Sequence, residues 1–139
     1  MVKEQLSPWA ISAGLDLTRR LRRAPFDLMA SFWLYSSETN DWRLVLASPL
    51  VRSEGILQSY ERIRQILLDS GEQVDGWAHH HIDLVLPDTP LIRAIQSLGK
   101  FEIPELPPGP APRVADPKRL KFANVDGIFM EDAYIYFVA

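Results

Sequence analysis

Ala30-Ser-Phe-Trp-Leu-Tyr-Ser-Ser-Glu-Thr-Asn-Asp-Trp-Arg-Leu-Val-Leu-Ala-Ser48 reads as two aromatic-rich strands joined by a polar turn, and its reading decides the fold class. Successive side chains of a strand face opposite sides. Over residues 27–35 the even positions, Leu28, Ala30, Phe32 and Leu34, are uniformly apolar; Asp27, Met29, Ser31, Trp33 and Tyr35 form a mixed but aromatic face. A strand apolar on both faces belongs inside a sheet covered on both sides. Residues 36–41 gather Ser, Thr, Asn and Asp, whose short side chains bond their own backbone and favour turns. Residues 42–48 return as the partner strand, and Pro49 ends its supply of ladder donors. The pair is therefore expected at the centre of a sheet. Where helices leave them uncovered, Trp33, Tyr35 and Trp42 are the candidate interaction surface.

Three amphipathic helices are available to cover it. Ser7 followed by Pro8 is an N-cap with proline at the first helical position, and Ala10, Ala13, Gly14, Leu17, Leu21 and Ala24 share one face before Pro25 stops the helix. Gly14 within that face weakens the helix by about 1 kcal/mol and leaves room for close packing on the sheet. A second helix is expected with Ser53 as cap, Ile56, Tyr60, Ile63 and Leu67 as its stripe, Leu57 and Ile66 widening it, and Gly71 as its stop. Thr89-Pro90 repeats the cap-plus-proline device before Leu91, Ile92, Ile95 and Leu98, with Gly99 ending the third helix.

Residues 79–87 read as a third strand, and residues 119–125 and 128–138 as a second hairpin about Asp126-Gly127. Glu131-Asp132 marks a bulge or local break in its last strand. Between them, residues 104–117 hold six prolines in fourteen and make neither helix nor central strand, so residues 103–117 are expected to be an extended loop or arm. The order α-β-β-α-β-α-β-β predicts a single α+β domain over residues 1–139, with a mainly antiparallel or mixed five-stranded sheet and three helices. It lacks the regular alternation of a doubly wound nucleotide-binding fold.

Composition bounds the function. The 139 residues are 47% hydrophobic and 24% charged, with formal charge −3 and no cysteine. That suffices for one ordinary core without staples, and it removes disulfides, thiolate metal sites and cysteine nucleophiles. The acidic balance offers no global attraction to nucleic acid or anionic lipid. With no signal-like start and no run long enough to span a bilayer, a soluble cytoplasmic protein is expected.

Three clusters carry candidate chemistry. His79, His81 and Asp83 share one strand face and match the residue set of a two-histidine, one-carboxylate metal site. Against this, strand neighbours alone do not give facial geometry, and polar strand starts commonly carry solvated histidines. Asp126, Glu131 and Asp132 gather acids that could hold Mg²⁺ for hydrolytic or nuclease chemistry, although a nuclease's carboxylate–lysine pattern on adjacent strands is missing. Arg19, Arg22 and Arg23, with Arg20, form a basic patch that could contact nucleic-acid phosphate, or simply offset the negative end of the first helix. There is no phosphate-binding glycine loop, nucleophile elbow or zinc-protease helix motif, and no cofactor is expected.

Two segments, Phe32-Trp-Leu-Tyr35 with Trp42-Arg-Leu-Val-Leu-Ala-Ser-Pro-Leu-Val51, and Val125-Asp-Gly-Ile-Phe-Met-Glu-Asp-Ala-Tyr-Ile-Tyr136, together resemble a group of short, uncharacterised bacterial proteins. The resemblance covers most of the chain apart from the proline arm, and implies no activity, cofactor or partner. It implies that the triple histidine and the arm vary within the group. The lack of a catalytic motif, the surplus of strand aromatics and the arm-like insertion together point to a non-enzymatic interaction or accessory protein that self-associates and engages an unidentified protein partner. A metal-dependent hydrolase or nuclease comes second and a nucleic-acid-binding protein third.

Overall fold

A computed structural model describes residues 5–69, 77, 81–103 and 117–139. Helix α1 spans Pro8–Arg23; the side chain of Ser7 accepts from the Ala10 N–H at 3.1 Å, and the Ala24 N–H closes the far end on the Arg20 carbonyl. Strands β1 (Ala30–Ser36) and β2 (Asp41–Ala47) follow as an antiparallel hairpin in which Ala30 faces Ala47 and Ser36 faces Asp41. The first strand starts later than residue 27 because Asp27 takes φ 59°, which breaks extended backbone.

After β2 the chain departs from expectation. Pro49 leads into a single helical turn, α2 (Leu50–Ser53), so Ser53 ends one helix and does not cap the next. Gly55, at φ 88°, turns the chain into α3 (Ile56–Asp69), and its carbonyl receives the Ser59 N–H. The buried stripe of α3 is Ser59, Ile63 and Leu67, rotated from the expected one, so Ile56 and Leu57 stand exposed. Gly71, the expected stop, lies outside the described residues.

Strand β3 (His81–Val85) lies parallel to β2, and α4 (Pro90–Ser97) starts as expected, with the Thr89 side chain accepting from the Ile92 N–H. A two-residue strand, β4 (Phe101–Glu102), precedes β5 (Lys118–Val125) and β6 (Ile128–Val138). Most of the proline-rich stretch falls outside the described residues.

The chain is thus α+β with a mixed sheet, ordered β3-β2-β1-β6 and completed by β4 and β5, which share the outer edge of β6. Six strands and four helices are described where five and three were expected; β4 and α2 are each too short to leave a periodic pattern. No helix among the described residues is long and apolar enough to cross a membrane.

Each face of the sheet carries its own core. On one, α1 and α3 cover Trp33, Tyr35, Trp42, Leu44, Leu46 and Tyr136. On the other, Ile92 and Ile95 of α4 cover Ala30, Phe32, Val45, Ala47 and Ile135. The first hairpin is central and doubly covered, as its sequence requires.

Contact between α1 and the sheet depends on Gly14. A Cβ there would lie 2.6 Å from Trp33 Nε1 and 2.8 Å from the Tyr136 hydroxyl. The space is used by a relay in which Trp33 Nε1–H donates to Tyr136 Oη at 3.0 Å, and that hydroxyl donates to the Ile11 carbonyl. Beside it, Thr18 donates to the Gly14 carbonyl at 2.7 Å and shares a 2.7 Å hydrogen bond with Ser31, which leaves the one polar residue of that strand face satisfied.

Candidate functional site

Helices α1 and α3 cover the aromatic face of the first hairpin, so the condition for a contact surface there is not met. Trp33, Tyr35 and Trp42 are buried within the chain. Trp33 stacks on Trp77 with centroids 5.9 Å apart and 7° between planes, and Trp42 bridges Tyr35 at 5.4 Å and Tyr134 at 5.5 Å. Ser31 is the small polar residue of this face. Its pairing with Thr18 of α1 makes the face a helix-packing surface instead.

At the other edge, His81 and Asp83 do share a face of β3, opposite Arg43 and Val45 of β2; His79 lies outside the described residues. His81 Nε2 sits 3.7 Å from Asp41 Oδ2, while Asp83 Oδ2 is 3.4 Å from Arg43 Nη1 and Arg43 Nε is 3.9 Å from Asp41 Oδ1. A guanidinium therefore stands between the two carboxylates, supplying the positive charge that a metal would have brought. Among the described residues, no group of three or more His, Asp or Glu is placed to hold a metal ion.

The acids of the second hairpin are also separated. Asp126 (φ 50°) and Gly127 (φ 81°) form the two-residue turn, with both backbones in the conformation a right-twisted hairpin demands. Asp132 is fully buried further along β6 and receives a fork of hydrogen bonds from Arg119, Nε to Oδ1 at 3.0 Å and Nη2 to Oδ2 at 2.7 Å. The carboxylate in turn raises the Arg119 pKa, and the guanidinium lies 4.4 Å above the Tyr134 ring. Sequence reading missed this pair, although a hairpin turning at 126–127 sets Arg119 opposite Tyr134 and hence diagonal to Asp132. Arg119, Lys121, Tyr134 and Trp42 line a cleft of about 300 Å³ with Gln5 and Leu6.

The basic patch is partly neutralised. Arg20 pairs with Asp16 at 2.8 Å, and Arg22 pairs with Glu102 of β4 while its guanidinium lies 4.2 Å above the Phe137 ring. Arg19, Arg22 and Arg23 line a cleft of about 220 Å³, but Glu102 and Ile103 complete it. A carboxylate in the wall opposes entry of phosphate.

Several large apolar side chains are also exposed. On α3, Leu57 is 83% and Leu68 45% exposed, with Ile56 and Tyr60 beside them; on the second hairpin Phe122 is 71% and Phe129 61% exposed. Tyr60 is anchored by its hydroxyl, which donates to the Ile82 carbonyl of β3 at 2.6 Å. Isolated apolar residues on a surface need no explanation, but several on one helix do. Compared with known proteins, the chain matches no family model, no curated protein and no solved structure.

Proposed function

We propose that this chain is a soluble, cytoplasmic, non-enzymatic interaction or accessory protein that works as a homo-oligomer and presents a surface to a further protein partner. The observation that carries the reading is the concentration of large exposed apolar side chains on the outer side of α3. Each residue set that sequence chemistry offered for catalysis or phosphate binding is engaged by a structural counter-charge: Arg43 for Asp83, Arg119 for Asp132, Glu102 for Arg22. That leaves the metal-dependent hydrolase and nucleic-acid readings with less support than self-association. The test is sedimentation velocity or light scattering across a wide range of protein concentration. The expected result is a mass that rises above the 15.8 kDa of the chain as concentration increases. A constant 15.8 kDa at every concentration overturns the proposal.

A further inference from the structure

The outer side of α3 carries a pattern that identifies its partner. Leu57, Glu61, Arg64 and Leu68 fall at i, i+4, i+7 and i+11, one stripe along the helix. Within one chain, Glu61 and Arg64 already meet at 3.2 Å with more than half of each side chain exposed. Laid against an antiparallel copy of itself about a two-fold axis, the stripe matches at every position. In the single register that sets Leu57 opposite Leu68, Glu61 stands opposite Arg64, and the axis repeats both contacts. The four charges then close into a ring flanked by two leucine pairs. A helix evolved to meet a different surface has no reason to be complementary to its own reverse.

The sheet edges offer a second copy less. The edge of β5 that no described strand pairs carries Lys118, Arg119 and Lys121, so two such edges would oppose like charges. At β3, the Ile82 carbonyl is already taken by Tyr60. We infer that two copies of this chain associate through α3, antiparallel, with Leu57 of each copy on Leu68 of the other and Glu61 on Arg64. This rests on the self-association proposed above and adds its surface and register. A helix of fourteen residues is about 21 Å long, so one helix pair buries less than the roughly 800 Å² per partner of a standard interface, and the dimer is weak and concentration-dependent.

A charge-swap series on the full chain tests it. Glu61→Arg alone and Arg64→Glu alone each place like charges in the ring, and each weakens self-association about tenfold or more. An equimolar mixture of the two variants forms a heterodimer in which every pair across the interface is opposite in sign, and it associates far more strongly than either variant alone. The chain has no cysteine, so crosslinking supplies a second readout. Oxidation of Leu57→Cys mixed with Leu68→Cys yields a disulfide-linked dimer, and either variant alone yields far less, because the like positions lie on the order of 16 Å apart. All four positions are exposed, so folding is retained. Wild-type association that ignores these substitutions overturns the α3 register and leaves self-association standing. A wild-type chain that stays monomeric overturns both.

Discussion

Both hairpins of the sheet return through a turn with a left-handed residue just before the second strand, Asn40 in the first and Gly127, after Asp126, in the second. Their surroundings differ. β1 and β2 are flanked by β6 and β3 and covered on both faces, and neither strand holds a fully exposed residue. Among the described residues β5 has a partner on one side only, and its residues alternate between exposed and half-buried. The pairing of β5 and β6 also skips Phe122 and Glu131, with Phe122 at φ 47°, yet the register is the same before and after. One residue drops out of each strand together, so Ile128 and Met130 reach the same core as Ile135 despite opposite parity. A second irregularity, an extra residue at Tyr136, adjusts β6 to β1. The comparison teaches that a doubly covered hairpin is held regular by the packing on its two faces. An edge hairpin tolerates strain in its outer strand, β5, where little packs.

The central hairpin should therefore be the less forgiving. Gly14→Ala pushes a methyl into the Trp33 indole and the Tyr136 ring, and neither can retreat in a close-packed core. Overpacking of this kind costs about 1–3 kcal/mol, against which the gain in helix propensity is at most about 1. Chemical denaturation should show a net loss of up to about 2 kcal/mol; a stabilising result would mean that α1 does not approach the sheet this closely.

At the edge hairpin, Arg119→Ala strips the buried Asp132 of its bidentate partner. Breaking a fully buried pair costs about 3–5 kcal/mol, but Arg119 is 39% exposed and water can replace part of it, which leaves about 1–2 kcal/mol. An unfolding midpoint indifferent to this substitution would place the pair among surface ornaments.

Alkaline titration probes the contact between the two hairpins. Burial raises the Tyr136 pKa well above its ordinary 10.0, with the Trp33 N–H partly opposing the shift. A raised pKa means that the folded chain holds the phenol proton more tightly than the unfolded chain does. The corresponding stability is complete below pH 10 and is lost as pH rises toward the folded value, at about 1.4 kcal/mol per pH unit. Tyr136→Phe lowers stability at neutral pH by removing two hydrogen bonds, and removes this slope. Parallel pH profiles for the two proteins between pH 9 and 11 would contradict the burial of that hydroxyl.

How much of this could be read from the chain follows from where a local signal exists. Ser7-Pro8, Thr89-Pro90 and Asp126-Gly127 mark boundaries through their own backbone chemistry, and all three lie where that chemistry puts them. The expected break near Glu131 is present, though its cause is Phe122 across the ladder. The start of α3 was misread because Ser53 resembles a cap, while its hydrophobic residues do not say which of them the sheet will cover. Nor does the sequence say whether helices cover the aromatic face: Ser31 finds its partner in Thr18, thirteen residues away. Long-range pairing decides both questions, and periodicity does not carry it.

The smallest effect is the sharpest test of the contrast. Phe122 holds a left-handed backbone without being glycine, asparagine or aspartate, and its side chain is 71% exposed. Such a conformation costs a residue with a Cβ roughly 1 kcal/mol, which glycine does not incur. Phe122→Gly therefore removes strain and gives up little packing. Against this stands the larger backbone freedom glycine brings to the unfolded state, which limits the net gain to about 0.5 kcal/mol. The same substitution at Phe32, buried opposite Val45 and Ile135 in β1, removes a core side chain and costs several kcal/mol. Opposite signs for one substitution in two hairpins are what an edge under strain and a centre under compression require. If Phe122→Gly is instead clearly destabilising in denaturant titrations, then the exposed phenylalanine is packed against something in solution, and the edge hairpin is a contact surface as well.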